Sequence, residues 1–271
     1  MEDLVLTRQT GGVRTLTLHR PDRRNALSAA LVTDLRRALA DAARDASVRV
    51  VVLDGAGPAF SAGADLDALR RMQTAGIEEN LADSEHLAAL FREIVTCPRV
   101  VVARVHGAAL GGGCGLAAAA DIAVVADDAR LGFTEVRLGF VPAIVAVVAL
   151  RRVGEAVVRN LMLTGRQISG AEAARMGLVA EAVPAADLDA RVAEIASEIA
   201  RACSPSALAQ TKRLLALLPP MGLDDGLAVA AQANAAARAT ADFQAGIAAF
   251  LSKSPPPWAI PIDGSSGSDA R

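Results

Sequence analysis

The sequence predicts an α/β protein whose C-terminal portion is entirely helical. Strand-like and helix-like segments alternate over roughly the first 185 residues, as in folds that flank a sheet with helices. From about residue 187 onward only helical patterns occur. Hydrophobic residues make up 52% of the 271-residue chain but aromatic residues only 3%. The core should therefore consist of closely packed aliphatic side chains.

The hydrophobic period distinguishes strands from helices in the first half of the chain. Residues 13–18 alternate between apolar and polar, which predicts a half-exposed strand. Three continuous apolar runs predict buried strands. Ser28 is placed to cap the first helix. The predicted elements are strands 13–18, 48–54, 100–105 and 122–126, and helices 29–43, 80–95 and one beginning at Leu66.

The second half is predicted to contain one strand and six helices. Gly177 closes a short helix, and Pro219-Pro220 breaks the long helical stretch that follows. The predicted elements are strand 178–183 and helices 143–153, 154–163, 171–177, 187–202, 205–218 and 223–251. From Ser254 onward, prolines followed by Gly and Ser predict a loose tail.

Composition and charge exclude several classes of function. The 28 basic and 30 acidic residues are interspersed, so no basic stripe indicates a nucleic-acid partner. The longest apolar runs are too short to span a bilayer. Three cysteines suit a reducing cytosol without a disulfide framework, and no His or Cys pair has the spacing of metal ligands. We therefore expect a cytoplasmic protein without a metal site and without membrane or nucleic-acid partners.

The most informative motif is a glycine turn between a buried strand and an apolar helix. Gly111, Gly112 and Gly113 allow close backbone approach and leave N–H groups free. A phosphate loop is disfavoured because Gly113-Cys114 stands where Lys-Ser/Thr is required. A dinucleotide-binding turn is disfavoured because Leu116 stands where a third glycine belongs. A tight packing turn remains the alternative.

A second small-residue loop and one acid indicate that this glycine turn is part of a reactive site. Residues 60–66 (Phe-Ser-Ala-Gly-Ala-Asp-Leu) follow strand 48–54, so both loops lie at carboxyl ends of strands, where open α/β sheets bind ligands. Each loop can supply one N–H donor to a single oxygen. Glu135 lies downstream, and free donors near one carboxylate suggest stabilisation of an oxyanion while a base moves a proton.

Several motifs together resemble the crotonase superfamily, which contains the enoyl-CoA hydratases and isomerases. They are residues 18–27, 60–66, 106–114, 164–174, 177–179 and 243–253, which occur in the family's order and span roughly residues 3–258. The resemblance implies a spiral of ββα units with a helical C-terminal trimerisation region. It divides the chain into a core (1–200), an oligomerisation region (201–253) and a flexible tail (254–271), and implies a homotrimer or a dimer of trimers.

The resemblance also assigns residues to the site. The backbone N–H groups of Ala64 and Gly112 match the family's oxyanion hole, and Glu135 matches its second catalytic glutamate. The expected coenzyme A surface comprises Arg24, Ala26, Ala62, Ala64, Asp65, Leu66 and Gly112, together with Lys253. Alternatively Asp65 caps the following helix, and Lys253 is a solvated residue at a helix end. No separate cofactor is expected, because coenzyme A is part of the substrate.

The chain departs from the family pattern at one position. Gly115 stands where standard hydratases carry the first of their two glutamates. Three hypotheses follow: a hydratase of a substituted (branched or carboxylated) 2-enoyl-CoA that relies on Glu135, a Δ3,Δ2-enoyl-CoA isomerase that needs one acid, or a non-catalytic acyl-CoA-binding homologue. An ion pair between Glu135 and Arg137 at the surface is the structural alternative. His106 and Cys114 are expected to be turn and packing residues.

Overall fold

Two sheets form the framework of the protein. A computed structural model describes residues 3–259. In the larger sheet β1 is antiparallel to β2, and β2, β3, β4, β6 and β9 are neighbours in that order and parallel. β5, β7 and β8 form a small second sheet. The strands are β1 (Val5–Thr10), β2 (Val13–Leu18), β3 (Val50–Gly55), β4 (Val100–Val105), β5 (Ala108–Leu110), β6 (Ile122–Ala126), β7 (Arg130–Gly132), β8 (Ile168–Ser169) and β9 (Glu181–Val183).

Helices surround these sheets and form the whole C-terminal portion. They are α1 (Ala29–Arg44), α2 (Leu66–Met72), α3 (Ile77–Thr96), α4 (Gly112–Ala119), α5 (Ala143–Ala149), α6 (Glu155–Thr164), α7 (Gly170–Arg175), α8 (Leu188–Ala202), α9 (Pro205–Leu217), α10 (Leu223–Arg238) and α11 (Ala241–Ser252). Short 3-10 helices lie at Pro21–Arg23, Glu135–Leu138 and Ala185–Asp187. No helix in the described part of the chain is long and apolar enough to cross a membrane.

The predicted α/β core with a helical C-terminal portion is confirmed. Some boundaries differ: α5 ends at Ala149 and not at residue 153, and β9 begins at Glu181 and not at residue 178. The short or edge strands β1, β5, β7 and β8 were not predicted. β2, β4 and β6 coincide with the predicted strands. Ser28 caps α1, because its side chain accepts a hydrogen bond from the Leu31 N–H. Val50, Val51 and Leu53 of β3 are fully buried. The continuous apolar runs therefore mark strands that are covered on both faces.

The structure corrects the prediction of one continuous helix over residues 223–251. α10 ends at Arg238, and α11 starts after Thr240, whose side chain accepts a hydrogen bond from the Phe243 N–H. A local capping interaction thus interrupts an Ala-rich pattern that continues across the break.

The predicted loose tail begins with an anchored segment. The Trp258 indole N–H donates to the Ala202 carbonyl at 3.2 Å, and the Trp258 carbonyl accepts from the Arg49 guanidinium at 2.8 Å. The remainder of the predicted tail, residues 260–271, lies outside the described residues. The predicted division into three regions stays a prediction.

A buried ion pair attaches the helical portion to the core. Lys212 of α9 is only 7% exposed, and its ammonium donates to Asp121 at 2.6 Å and to the Arg99 carbonyl at 3.0 Å. Asp121 also accepts from the Val101 N–H. A buried charge of this kind needs a partner that satisfies its donors. Removing either partner would therefore loosen α9 from the start of β4.

Candidate active site

The two small-residue loops run side by side, as predicted. The Ser61 N–H donates to the Ala108 carbonyl, and the Leu110 N–H donates to the Ser61 carbonyl, both at 3.0 Å. Gly63 has a φ of +88° and lies so close to the glycine turn that a β-carbon there would be 2.5 Å from the Leu110 carbonyl oxygen. Only glycine fits this contact and this backbone conformation.

A third loop, residues 20–27, is fastened to the other two by a buried asparagine. Asn25 is fully buried, and its amide donates to the carbonyls of Ala56 and Ala59 at 2.8 Å each. The Ala62 N–H donates to the Arg24 carbonyl, and the Leu27 N–H donates to the Gly63 carbonyl. Asn25 adopts φ +54°, which asparagine tolerates better than most residues. It positions the loop that carries Ala64.

Two backbone donors are left free where these loops meet. Within residues 3–259, neither the Ala64 N–H nor the Gly112 N–H has a hydrogen-bond acceptor. Gly112 is the first residue of α4, and its nitrogen lies 3.4 Å from the place that a β-carbon at Gly63 would take. The N-terminal end of a helix carries positive potential. The arrangement is suited to bind an oxygen that gains negative charge.

A cavity of about 360 Å³ opens at this point. Its lining brings together most of the residues expected at the site: Arg24, Ala26, Ala62, Ala64, Asp65, Leu66 and Glu135. Gly111 lines the cavity rather than its neighbour Gly112. Lys253 is not among the lining residues; it ends α11 in the left-handed conformation with φ +55°. The expected contact of Lys253 with coenzyme A stays a prediction.

Glu135 places its carboxylate against the glycine turn. It begins the 3-10 helix Glu135–Leu138 after β7, and its Oε1 lies 3.0 Å from the position of a β-carbon at Gly111. Its Oε2 is buried without a hydrogen-bond partner among residues 3–259. Burial raises the pKa of this carboxyl above its usual range, because it penalises the charged form. An unpaired carboxylate with a raised pKa is suited to accept and return protons.

The structural alternative for Glu135 is wrong, because no ion pair joins it to Arg137 in residues 3–259. Arg137 instead packs against Gly165, where its Cγ lies 3.0 Å from the position of a β-carbon.

The place of the missing glutamate is filled by hydrocarbon. A β-carbon built at Gly115 would overlap Cγ1 of Val145 and would lie 3.0 Å from Cε1 and Cζ of Phe91. Val145 belongs to α5 and Phe91 to α3, and both side chains are buried. The absence of a side chain at Gly115 therefore makes room for the core and leaves no space for a second acid.

Comparison with known proteins identifies the family. Residues 8–260 match the family model described as enoyl-CoA hydratase/isomerase. The chain belongs to the enoyl-CoA hydratase/isomerase family. A candidate enoyl-CoA hydratase of Thermus thermophilus is 46% identical over 92% of this chain and 98% of its own. The 2,3-dehydroadipyl-CoA hydratase of Escherichia coli is 36% identical over 94% of this chain and 98% of its own.

Solved structures of enoyl-CoA hydratases confirm the predicted crotonase-like fold. An enoyl-CoA hydratase of Mycobacterium smegmatis superposes with a TM-score of 0.89 at 33% identity, covering 95% of this chain and 99% of its own. As a member of this enzyme family, the chain acts on an acyl-CoA thioester, and its cavity is the candidate active site.

Asp65, which lines the cavity of this enoyl-CoA site, has a structural role. The Asp65 side chain accepts hydrogen bonds from the N–H groups of Asp67 and Ala68 at the start of α2 and pairs with Arg20 at 2.8 Å. Burial alone would raise the pKa of Asp65, but the hydrogen bonds from Arg20 and Ala68 hold it below its usual range. Asp65 therefore caps α2, as the sequence suggested.

His106 and Cys114 are packing residues, as expected. The His106 ring contacts the Arg104 guanidinium at 2.8 Å and the Gly57 carbonyl at 2.9 Å. Cys114 is fully buried, and burial raises the pKa of its thiol to about 12. A thiol with so high a pKa stays protonated at neutral pH and is a poor nucleophile.

Proposed function

We propose that the protein is an enoyl-CoA hydratase that adds water to a 2-enoyl-CoA with Glu135 as its single acid/base. The observation that carries the proposal is the Glu135 carboxylate, whose Oε2 is buried without a partner among the described residues and which lies against Gly111 in the same cavity as Ala64. Donors and base thus converge on one space, which is the geometric requirement for enolate chemistry.

In the proposed reaction the thioester carbonyl binds between the N–H groups of Ala64 and Gly112. Glu135 takes a proton from water as the water oxygen bonds to C3, and the electrons of the double bond move onto the thioester oxygen. Each donor in such a hole contributes about 2.7–4 kcal/mol to stabilising the oxyanion. Glu135 then returns the proton to C2, which restores the thioester and the ionised carboxylate. The product is a 3-hydroxyacyl-CoA.

The 3-enoyl-CoA to 2-enoyl-CoA isomerase remains the second candidate. It is favoured by the hydrocarbon side chains that fill the space at Gly115 and leave no room for a second acid. Moving one proton from C2 to C4 needs a single base and no bound water. A non-catalytic acyl-CoA-binding protein is disfavoured, since simple binding gives no reason to keep an unpaired carboxylate partly buried beside two free donors.

One pair of assays separates these candidates. Crotonyl-CoA, or a branched or carboxylated 2-enoyl-CoA, should lose the absorbance of its conjugated enoyl thioester if the protein is a hydratase. A 3-enoyl-CoA should gain this absorbance if the protein is an isomerase. If neither signal changes while acyl-CoA binding is measurable by calorimetry, the protein is a binding homologue and the proposal fails.

The substrate class is proposed to be a branched or carboxylated 2-enoyl-CoA. Two observations support it: the local sequence around Glu135 resembles that of hydratases for such substrates, and the Escherichia coli relative is a 2,3-dehydroadipyl-CoA hydratase. Arg23 and Arg24 are exposed at the cavity mouth, where they can attract the phosphates of coenzyme A. Comparing kcat/KM for crotonyl-CoA and for a carboxylated analogue tests this assignment.

We further propose that the C-terminal helices assemble the protein into a homotrimer or a dimer of trimers. Leu223, Phe250 and Leu251 are each more than three-quarters exposed in the single chain. Large exposed apolar side chains on neighbouring helices are typical of subunit interfaces. Light scattering should therefore give a mass of three or six chains, and a monodisperse monomer of 27.8 kDa would refute the assembly.

A further inference from the structure

Gly111, which immediately precedes α4, and Gly115 within α4 lie one helical turn apart. The Gly115 N–H donates to the Gly111 carbonyl at 2.9 Å, and residues four apart lie one above the other along a helix. The Glu135 carboxylate rests on Gly111, and the side chains of Val145 and Phe91 cover Gly115. The apolar packing thus begins one helical turn from the base. These hydrocarbon side chains offer no acceptor for the second O–H of a water molecule beside Glu135.

The other polar side chains of the cavity leave one candidate partner for such a water. Asp22, Arg23 and Arg24 are exposed at the mouth, and Arg23 pairs there with Asp67 at 3.2 Å. Asp65 is already engaged by α2 and Arg20. That leaves Thr134, the residue immediately before the base.

The Thr134 hydroxyl is free to bind a water molecule in the cavity. The residue is half-buried and lines the cavity together with Glu135 and Gly111. It stands at the start of the 3-10 helix, but its side chain makes no capping hydrogen bond. Within residues 3–259 its hydroxyl has no hydrogen-bond partner. A hydroxyl both donates and accepts, so it can hold a water molecule in a defined orientation.

We propose that Thr134 binds the attacking water and takes the place of the missing second acid. The water donates one O–H to Glu135 and the other to the Thr134 hydroxyl oxygen, so that its lone pair faces C3 of the bound enoyl group. As the C3–O bond forms, the water transfers to Glu135 the proton that it donates in this hydrogen bond. Glu135 later passes that proton to C2. Thr134 gains and loses no proton; it orients the water. The assignment rests on the proposed hydratase activity.

The test uses three variants of the full-length protein. Thr134→Val keeps the shape and removes the hydroxyl, and Thr134→Ser restores it. Thr164→Val is the matched control, because Thr164 is exposed at the end of α6 and does not line the cavity. Its hydroxyl bonds only to backbone groups nearby, the Asn160 carbonyl and the Arg166 N–H. Hydration kcat and KM are measured for each variant. Exchange of the C2 protons of a saturated acyl-CoA with deuterated water is followed by NMR, because this exchange needs the base and the oxyanion donors but no attacking water.

We expect Thr134→Val to lower the kcat of hydration by about tenfold or more, on the scale of one lost hydrogen bond. Its KM and its C2 exchange rate should stay near those of the native protein. Thr134→Ser and Thr164→Val should hydrate at close to the native rate. Undiminished hydration by Thr134→Val overturns the assignment, and so does a parallel loss of hydration and exchange, which indicates damage to the base. A native protein that exchanges C2 protons but hydrates no enoyl-CoA refutes the proposed function itself.

Discussion

Two glycines one helical turn apart at the start of α4 have opposite chemical environments. At Gly111 the neighbouring side chain is the Glu135 carboxylate, whereas one turn later Gly115 is covered by Val145 and Phe91. In both places a glycine makes room for a side chain from another element. At Gly111 that side chain is the proposed base of the reaction, and at Gly115 it is part of the core. The comparison shows that the same local residue type creates a reactive position or a packed one, depending on what folds against it.

The largest expected effect on turnover comes from substitution of Glu135. Glu135→Gln keeps the shape of the side chain but cannot accept a proton, so turnover should fall by ~10²–10⁴. Acyl-CoA affinity, measured by calorimetry, should change little, because the thioester is held by backbone donors. Glu172→Gln, which removes a carboxylate paired with Arg166 outside the cavity, serves as the control. A Glu135→Gln enzyme as active as the native protein would remove the basis of the catalytic assignment.

The oxyanion donor at the start of α4 gives the next largest effect. Gly112 is the first residue of the helix, a position that tolerates proline, so Gly112→Pro removes the N–H without breaking the helix. We expect turnover to fall by roughly 10²-fold or more. Gly112→Ala is the matched control, because its β-carbon meets the same Leu27 side chain and the N–H remains. Equal activity of the two variants would show that this donor is not used.

Substitution of Gly115, which is covered by core side chains, should mainly lower the free energy of unfolding. Gly115→Glu forces its β-carbon into Val145, and overpacking of this kind typically costs about 1–3 kcal/mol in unfolding free energy. Combining it with Val145→Ala should recover part of that loss, so the two effects on denaturant unfolding should be non-additive. We expect the pair to hydrate crotonyl-CoA faster than Gly115→Glu alone. Strictly additive stability effects would mean that Val145 is not the side chain in the way.

The smallest effect concerns the pH dependence of stability. The pKa of Glu135 is raised in the folded protein, so folding favours the protonated form. Its contribution to stability is therefore present at acid pH and is lost as pH rises through the raised pKa. Glu135→Gln, which cannot ionise, should have a Tm higher by on the order of 1–2 °C at neutral pH. The difference should vanish below the usual glutamate range, about pH 4. A Tm gain that persists unchanged at acid pH would point to packing instead.

Hydrophobic patterning predicted the interior of the fold better than its edges. β4 and β6 were identified because continuous apolar runs occur where both faces of a strand are covered. β1 was missed, because it lies at the sheet edge and five of its six residues are exposed, so no alternation marks it. The break at Thr240 was missed because an Ala-rich pattern gives helical signals on both sides of a single capping residue.

The candidate site was predicted where backbone groups and a motif define it. The two loops were expected to meet because both follow the carboxyl ends of strands, and the structure brings Ser61 and Ala109 into register. Asn25 and Thr134 were not given roles. A fully buried asparagine with a positive φ and a hydroxyl without a partner can be recognised only after the neighbouring loops are in place.

By itself the sequence determined the family, the α/β core with its helical C-terminal portion, and the presence of one acid where standard hydratases have two. These properties follow from residue types and spacings along the chain, which act locally or repeat with a fixed period. Only the tertiary structure decided that the Glu135 carboxylate is partly buried and unpaired, and that Gly115 is covered by Phe91 and Val145 from two other helices. The desolvation of a charge and the occupation of a small volume depend on contacts between residues far apart in the chain, and no local pattern encodes them.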